Sequence, residues 1–379
     1  MTFRPCLLVV CMLLAYSSPT VAQSAPGTAN YSGFAESNWA HYLGDRGSSQ
    51  YSRLEQINKK NVAQLEVAWA YNSSVETAGE SSEMQCNPIV VDGILYGLSA
   101  DSYFFAIDAT SGEEKWRFDP FANSQGRRGG RNRGLAYWTD GKEARLMVAI
   151  SSSIYALDPV SGTAIKSFGE DGVVDFREGL GRDAKTVRVS AGTPGVIYKD
   201  LYILGSRVSE NYGAAPGDIR AYHVKTGALV WTFHTIPHPG EVGYDTWPEG
   251  AWQRVGGANA WAGLSLDEKR GMVFVPTGSA AYDFNGSDRH GANLFANSIV
   301  ALNAATGKYI WHYQTVHHDI WDRDLPAPAN LVTVKRHGKS IDAIAQVSKS
   351  GMVFLLDRET GKPIFPIEEV PVAASDVVG

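Results

Sequence analysis

The segment ALNAATGKYIWHY, residues Ala301–Tyr313, sets a pattern that four other segments of the chain repeat. An alternating apolar stretch runs into Asn303, a Thr-Gly pair ends at Gly307, and a large aromatic, Trp311, follows. Asp or Asn followed by Gly is the chemistry of a tight turn, so each copy predicts two strands joined by a hairpin. The other copies are AIDATSGEEKW from Ala106, ALDPVSGTAIKSF from Ala156, AYHVKTGALVWTF from Ala221 and LLDRETGKPIFPI from Leu355.

The spacing of the copies indicates the architecture. The turn glycines Gly112, Gly162, Gly227, Gly307 and Gly361 are 50, 65, 80 and 54 residues apart. A unit of about 50 residues that holds about four strands is typical of a β-propeller blade. The longer intervals predict loop insertions, and loops on a rigid scaffold commonly carry binding sites.

We therefore predict an all-β propeller with about five blades, in which Trp116, Trp231 and Trp311 pack between neighbouring blades. Leu65–Tyr71 is a further candidate strand, and a short helix is predicted near Leu54–Val62. A ring of blades must close to protect its edge strands. Five blades indicate either a small propeller or a piece of a larger one.

Composition narrows the class of protein. The 379 residues are 44% hydrophobic and 20% charged, which is typical of a chain that buries a core and excludes wholesale disorder. The net charge of −6 argues against a nucleic acid or an anionic membrane as the main partner.

The first residues resemble an export signal. Arg4 precedes the apolar stretch Leu7–Ala15, which is too short to span a bilayer. Thr20 and Ala22 then supply small residues at the −3 and −1 positions of a cleavage site. We predict a signal peptide over 1–22, a propeller domain over 23–379, a periplasmic location and no membrane-spanning segment in the mature chain; a membrane anchor is the alternative. Cleavage leaves Cys86 alone, which excludes an internal disulfide.

Three polar clusters lie in the insertions. The sequence GRRGGRNRGLAYW from Gly126 groups arginines among glycines and suits an anion, or is a solvated basic loop. Glu210 and Asn211 follow a strand and offer the oxygen ligands that Ca²⁺ prefers, although a surface Glu is the simpler reading. Trp261, among small residues, is either a core side chain or an open stacking face.

A fourth cluster, TVHHDIWDRDLP over 315–326, follows the fourth repeat and mixes histidines with carboxylates. It predicts either a transition-metal site at His317 and His318 or a carboxylate that acts as a base. Lys349, on the next predicted strand, offers a positive charge.

These strings resemble those of the pyrroloquinoline quinone (PQQ) dependent dehydrogenases, close to the membrane-type glucose dehydrogenase branch. The similarity begins at SNWAHYLGDRGSSQYSRLEQIN from Ser37, and NRGLAYW and HHDIWDRDLPAP come in the family's order. The resemblance implies an eight-bladed propeller with PQQ on its axis, of which this chain carries about five blades.

The resemblance also implies roles for single residues. Asp322 matches the catalytic base, and Lys349 matches the basic residue that contacts the quinone oxygens. The implied cofactor contacts are Gln85, Arg133, Ser190, Thr193, Trp261 and Lys349. The implied ligands of Ca²⁺ are Glu210, Asn211, Asp322 and Ser279.

The sequence departs from the family at three places. Arg127 and Arg128 stand where alcohol-type members carry an adjacent cysteine pair. Ser279 follows Gly278, where many members have an Asn ligand, and the transmembrane bundle of the membrane-type glucose enzymes has no counterpart here.

The function implied is a dehydrogenase that oxidises a sugar or an alcohol, with ubiquinone or a cytochrome c as electron acceptor. Two alternatives stay open. The first is a propeller that serves only as a protein-binding scaffold, which would need none of Glu210, Trp261, Asp322 and Lys349. The second is an inactive fragment that keeps these residues without the remaining blades.

Overall fold

The predicted hairpin turns are present in all five repeats. The turn glycines Gly112, Gly162, Gly227, Gly307 and Gly361 have φ angles of 75°, 71°, 73°, 69° and 70°. This left-handed backbone is accessible to glycine without steric cost. Each turn follows the third strand of an antiparallel sheet, so the repeat marks the same point in every blade.

The structure is a computed structural model that describes residues 38–74, 83–122 and 132–373. The predicted signal peptide and the arginines Arg127 and Arg128 lie outside the described residues.

Five sheets follow one another along the chain, four of four strands and one of three. The first blade contains β1 (Ile89–Val91), β2 (Ile94–Leu98), β3 (Phe104–Asp108) and β4 (Glu114–Phe118). The second contains β5 (Ala136–Thr139), β6 (Ala144–Ile150), β7 (Ser153–Leu157) and β8 (Val173–Asp175). A short pair, β9 (Val189–Ser190) and β12 (Arg207–Val208), flanks the third blade.

The third blade contains β10 (Val196–Tyr198), β11 (Leu201–Leu204), β13 (Ile219–His223) and β14 (Leu229–Phe233). The fourth contains β15 (Ser265–Asp267), β16 (Met272–Pro276), β17 (Ser298–Asn303) and β18 (Tyr309–Gln314). The fifth contains β19 (Asn330–Arg336), β20 (Lys339–Val347) and β21 (Val353–Asp357). After β21, the Ile364 amide donates to Leu355 O, and the flanking Pro363 and Pro366 prevent a regular fourth strand.

The apolar core lies between the blades. Along β16, Val273 and Val275 pack toward the third blade, whereas Met272 and Phe274 pack toward the fifth. Because successive strand side chains point to opposite faces, a strand buried on both faces reads as a continuous apolar run. The five-bladed all-β prediction is confirmed.

The predicted aromatic contacts between blades are also confirmed. Trp116, Trp231 and Trp311 each lie against the turn glycine of the following blade, where a Cβ would come within 2.5 Å of the ring. The Trp311 indole N–H also donates to Arg358 O, one residue past the turn Asp, at 3.1 Å. We call this pairing of an indole with a turn the indole junction.

A further indole junction involves Trp69, which lies against Gly112 and donates to Ala109 O at 3.2 Å. The prediction of a strand over Leu65–Tyr71 is wrong, since no strand pairs with this segment within the described ranges. Extended backbone becomes a strand only when a neighbouring strand shares its hydrogen bonds. The predicted helix near Leu54–Val62 is reduced to a single 3₁₀ turn, Val62–Gln64.

Between the second and third blades, no indole of the described residues lies against the turn glycine Gly227; the indole at this boundary is Trp138, which donates to Lys199 O at 3.1 Å. Gly227 instead faces Val174 and Gly169, and the Gly169 amide donates to Thr226 O at 3.0 Å. Lys225 bridges the same boundary to Asp140 at 2.7 Å and to Glu143 at 2.8 Å. Charged groups therefore lie beside this turn, in the place that an indole occupies at the other turns.

The long insertion after β14 contains two short helical segments. They are a 3₁₀ turn over Tyr244–Thr246 and one α-helical turn, α1 (Ala251–Arg254). No helix in the described part of the chain has the length and apolar character needed to cross a membrane.

Candidate active site

The predicted site residues lie at one end of the blades. In an antiparallel four-stranded blade, the connection before the first strand and the connection between the second and third strands share one end. Arg133, Trp261 and Asp322 precede the first strands of the second, fourth and fifth blades, and Glu210 and Lys349 lie in connections between second and third strands. The turn glycines mark the opposite end.

Asp322 and Lys349 form the centre of the site. Lys349 Nζ donates to Asp322 Oδ1 at 2.7 Å and to Asp324 Oδ2 at 3.0 Å. Burial raises the pKa of Asp322, against the lowering effect of the Lys349 hydrogen bond. Burial opposes the charge of Lys349, but its hydrogen bond to Asp322 and the charge of Asp324 raise the pKa of the ammonium overall. Lys349 is therefore a fixed cation beside a carboxylate of raised basicity.

Trp261 is tied to this pair through Asp324. The indole N–H donates to Asp324 Oδ2 at 2.8 Å, and the Ser279 amide donates to Asp324 Oδ1 at 2.7 Å. This approach depends on Gly278, because a Cβ there would lie 2.5 Å from the Asp324 carboxylate. The half-buried ring is thereby held at a fixed angle next to Lys349, whose Nζ lies 5.7 Å from its centroid.

Arg133 also lies near the Trp261 ring. Its guanidinium carbon is 5.3 Å from the Trp261 centroid, and its Nη1 donates to Thr193 Oγ1 at 3.2 Å. Thr193 in turn donates to Trp261 O at 2.7 Å. One hydrogen-bonded network thus runs from Arg133 through Trp261 to Asp322.

Glu210, Asp283, Asp322 and Asp324 form what we call the acidic cluster. The Asp283 amide donates to Glu210 O at 3.3 Å, which joins the loops of the third and fourth blades. Burial and, next to it, the charges of Asp324, Glu210 and Asp322 together raise the pKa of Asp283 to about 7. Negative charge therefore accumulates at this end of the propeller.

The side chains of the site fit both PQQ and Ca²⁺, the two groups that the resemblance implies. A half-buried indole with a guanidinium and an ammonium within 6 Å of its centroid suits a flat aromatic ring that carries carboxylates. The oxygens of the acidic cluster suit a hard divalent cation, which would relieve their repulsion. In the portion of the chain that the structure describes, however, no three His, Cys, Asp or Glu side chains already form a group that could hold a metal ion.

The other predicted contacts are placed less centrally. Gln85 Nε2 bonds Glu83, while its Oε1 is buried and accepts no hydrogen bond from the described residues. Ser190 Oγ donates to Arg207 O at 3.4 Å across the short pair β9–β12. Asn211 is exposed, and its backbone N–H bonds Ser209 Oγ at 3.2 Å.

Ser279 has two contacts at the site. Its amide bonds Asp324, as above, and its hydroxyl donates to Asp319 Oδ2 at 2.6 Å. The side chain therefore already serves a carboxylate of the loop that carries Asp322.

The two histidines of the fourth cluster point to separate partners. His317 bonds Gln314 at 2.7 Å and Glu369 at 3.2 Å, whereas His318 Nδ1 bonds Gly291 O at 2.9 Å. This arrangement does not favour the transition-metal alternative over a carboxylate base.

Sequence reasoning missed Asp324, Asp319 and Asp283. Asp324 lies two residues after Asp322, and its role depends on a neighbour, Gly278, from a distant part of the chain. A usable signal was the density of carboxylates in HHDIWDRD, which exceeds what a solvated loop requires. Asp283 carries no local signal besides its two aromatic neighbours.

Comparisons with known proteins identify the family. Residues 39–379 match the family model described as "PQQ: Glucose/ethanol/alcohol dehydrogenase, beta-propeller domain". Quinoprotein glucose dehydrogenase A of Acinetobacter calcoaceticus is 33% identical, over 93% of this chain and 46% of the relative. Quinate/shikimate dehydrogenase (quinone) of Acinetobacter baylyi is 33% identical, over 90% of this chain and 45% of the relative.

Solved structures give the same result. The crystal structure of quinohemoprotein alcohol dehydrogenase from Comamonas testosteroni is similar with a TM-score of 0.73 and 31% identity, over 88% of this chain and 49% of that one. The chain spans about half the length of the curated relatives it matches. Fold and similarity together show that the chain belongs to the family of PQQ-dependent glucose, ethanol and alcohol dehydrogenases, of which it carries part of the β-propeller domain.

Proposed function

We propose that this chain forms part of a PQQ- and Ca²⁺-dependent dehydrogenase that oxidises a hydroxyl group of a sugar or an alcohol. The observation that supports it most is the position of Asp322, a carboxylate of raised pKa held by Lys349 beside the Trp261 network. Relatives at 33% identity are named as dehydrogenases of glucose and of quinate or shikimate, which favours a polyhydroxylated substrate, with simpler alcohols next.

The residues divide the chemistry between them. Oxidation of C–OH to C=O releases a proton and a hydride equivalent, and amino-acid side chains do not accept a hydride. When bound, PQQ supplies that two-electron acceptor. Asp322 accepts the hydroxyl proton, as a general base whose raised pKa strengthens its pull on the proton. Lys349 supplies fixed positive charge where negative charge develops on oxygen.

The remaining residues hold the two groups. Trp261 offers its ring face to PQQ, and Arg133 and Thr193 offer donors for its carboxylates and carbonyls. Gln85 Oε1, which no donor of the described residues contacts, offers an acceptor, and Ser190 contributes a hydroxyl. Ca²⁺ is assigned to Glu210, Asp322, Asn211 and Ser279. The structure adds Asp283 and Asp324 as nearby carboxylates.

Location and electron transfer are part of the same proposal. The leader-like sequence before residue 23 favours export to the periplasm with cleavage near Ala22. Electrons would then pass to ubiquinone or to a cytochrome c.

The test uses the full chain with PQQ and Ca²⁺ and follows dye reduction with glucose, quinate and ethanol. Asp322→Asn is expected to bind PQQ with unchanged affinity and to lose turnover by about 10²–10⁴-fold, the usual contribution of a general base. The matched control is Asp357→Asn, which changes a carboxylate in a turn at the opposite end of the fifth blade.

Three outcomes separate the parts of the proposal. Normal turnover by Asp322→Asn would remove Asp322 from the role of base. Failure of the wild-type chain to bind PQQ would contradict the cofactor assignment. PQQ binding without turnover would support the inactive-fragment alternative.

A further inference from the structure

The loop that carries Asp322 has an unfavourable backbone. Asp322 has a φ of 53°, and His318, earlier in the same loop, has a φ of 50°. Side chains other than glycine adopt this left-handed region rarely, at a cost of about 1–3 kcal/mol each. Some contact outside these residues must therefore hold the loop in its observed shape.

The carboxylate of Asp319 holds the loop from both sides of Asp322. Its Oδ1 accepts the Trp321 amide at 3.0 Å, and its Oδ2 accepts the Arg323 amide at 2.6 Å. These amides belong to the two residues on either side of Asp322 in the chain. Trp321 itself is 69% exposed, so its side chain contributes little packing to fix the loop.

Asp319 is in turn anchored to the buried interior of the fourth blade. Its Oδ2 also accepts Ser279 Oγ at 2.6 Å and Asn297 Nδ2 at 3.0 Å, and its carbonyl accepts Arg289 Nη2 at 2.5 Å. Asp319 is 3% exposed, and Asn297 and Arg289 are fully buried. Buried side chains of the fourth blade thus fix the position of Asp319, and Asp319 fixes the loop that carries Asp322.

We propose that Asp319 is the positioning residue for Asp322, setting the distance at which the Asp322 carboxylate meets Lys349 and the substrate hydroxyl. The inference rests on the proposed function only in taking Asp322 as the base. Asp319 itself reaches the reaction through the peptide groups beside Asp322. Displacement of a catalytic group by about 1 Å is enough to cost about 10²-fold in rate.

The test compares Asp319→Asn with Asp357→Asn. The Asn side chain has one acceptor oxygen, so Asp319→Asn loses the contact to at least one of the Trp321 and Arg323 amides. Asp357 is a matched control because its carboxylate also accepts amides two and three residues later, from Glu359 at 3.1 Å and from Thr360 at 2.9 Å, at the opposite end of a blade.

The first readouts need no cofactor. Hydrogen–deuterium exchange of the Trp321 and Arg323 amides is expected to accelerate at least tenfold in Asp319→Asn. Reductive methylation of Lys349, followed by mass spectrometry, is expected to accelerate several-fold as its bond to Asp322 loosens. Asp357→Asn is expected to leave both rates unchanged.

The second readout is the division between kcat and KM in the PQQ-loaded chain. Asp319→Asn is expected to lower kcat by about 10²-fold while KM stays within twofold, because positioning acts on the transition state. If Asp319 had only a structural role, Asp319→Asn would lower the melting temperature without lowering kcat selectively over KM.

Each result decides the inference. The inference would be overturned if Asp319→Asn accelerated amide exchange but left the methylation rate of Lys349 unchanged. It would also be overturned if Asp357→Asn lost as much kcat as Asp319→Asn. If Asp319→Asn does not fold, Asn297→Gly removes one anchoring donor at a position with a φ of 47°, which glycine tolerates, and smaller changes in the same readouts are expected. If the wild-type chain shows no turnover, the proposed function fails, while exchange and methylation still test the role of Asp319.

Discussion

Replacement of Asp324 by alanine tests the network that joins the tryptophan to the lysine. Asp324 is 7% exposed. Its carboxylate accepts hydrogen bonds from three donors, the Trp261 indole, the Ser279 amide and Lys349 Nζ. Asp324→Ala leaves the first two without an acceptor. We expect the folded state to lose stability and the indole to lose its fixed orientation.

The magnitude follows from the donors. A buried donor left unpaired costs about 1–3 kcal/mol, so two cost about 2–6 kcal/mol. Lys349 adds little, because it is partly exposed and keeps its bond to Asp322. Loss of one negative charge from the acidic cluster offsets part of the cost, since Asp324 is the largest charged contributor to the raised pKa of Asp283. We expect a net loss of about 2–4 kcal/mol.

The assay is urea unfolding followed by circular dichroism. Asp324→Asn, which keeps one acceptor oxygen, is expected to lose about half as much as alanine. Glu368→Ala removes the same charge from an exposed position and is expected to change the free energy of unfolding by less than about 0.5 kcal/mol. Gly278→Ala is expected to act in the same direction as Asp324→Ala, because its Cβ would displace the carboxylate.

A loss below about 1 kcal/mol in Asp324→Ala would refute the reasoning, since it would mean that neither donor depends on this acceptor. An equal loss in Glu368→Ala would refute it as well, because the effect would then follow net charge alone.

Three further predictions concern the blades and the cluster. Trp311→Ala is expected to cost about 3–5 kcal/mol in urea unfolding and Trp311→Phe clearly less, because the indole is 6% exposed and fills the junction at Gly361; equal losses would exclude a role for the larger ring. Burial raises the pKa of Asp218 to about 6, so the stability it contributes below about pH 4 is lost as pH rises through 6. Asp218→Asn, which keeps the acceptor for the Thr235 amide, should therefore melt higher than wild type at pH 8 and equally at pH 4; a gap that does not depend on pH would contradict this. Removal of Ca²⁺ by chelation should lower the melting temperature at constant ionic strength, and Ca²⁺ should restore it better than Mg²⁺; no change would leave the acidic cluster without a cation.

The fold could be predicted because its signal repeats. Five copies of one turn and three tryptophans in register indicate both the number of blades and the way they meet. Trp69 makes the same contact but was missed, because it precedes the first complete copy and no Asp-to-Gly turn stands before it in the chain. A contact of this kind is readable only where the repeat that defines it is complete.

The site could be predicted less fully. Motif similarity identified Asp322, Lys349, Trp261 and Arg133, and the structure brings them into one network with Thr193. Which carboxylate accepts the indole, by contrast, depends on contacts between loops of different blades. Such contacts are decided by packing over long sequence separations, which local patterns do not report.

The boundary between the second and third blades has a consequence for how the protein responds to its medium. At the other turns an indole packs against the turn glycine, and dissolved ions do not weaken that contact. Here Lys225 and its two carboxylate partners are partly exposed, so added electrolyte screens their attraction. The bond from Arg133 to Thr193 crosses this same seam. Salt therefore weakens the ion pairs at this boundary, while the buried apolar cluster around Trp138 still holds the two blades together.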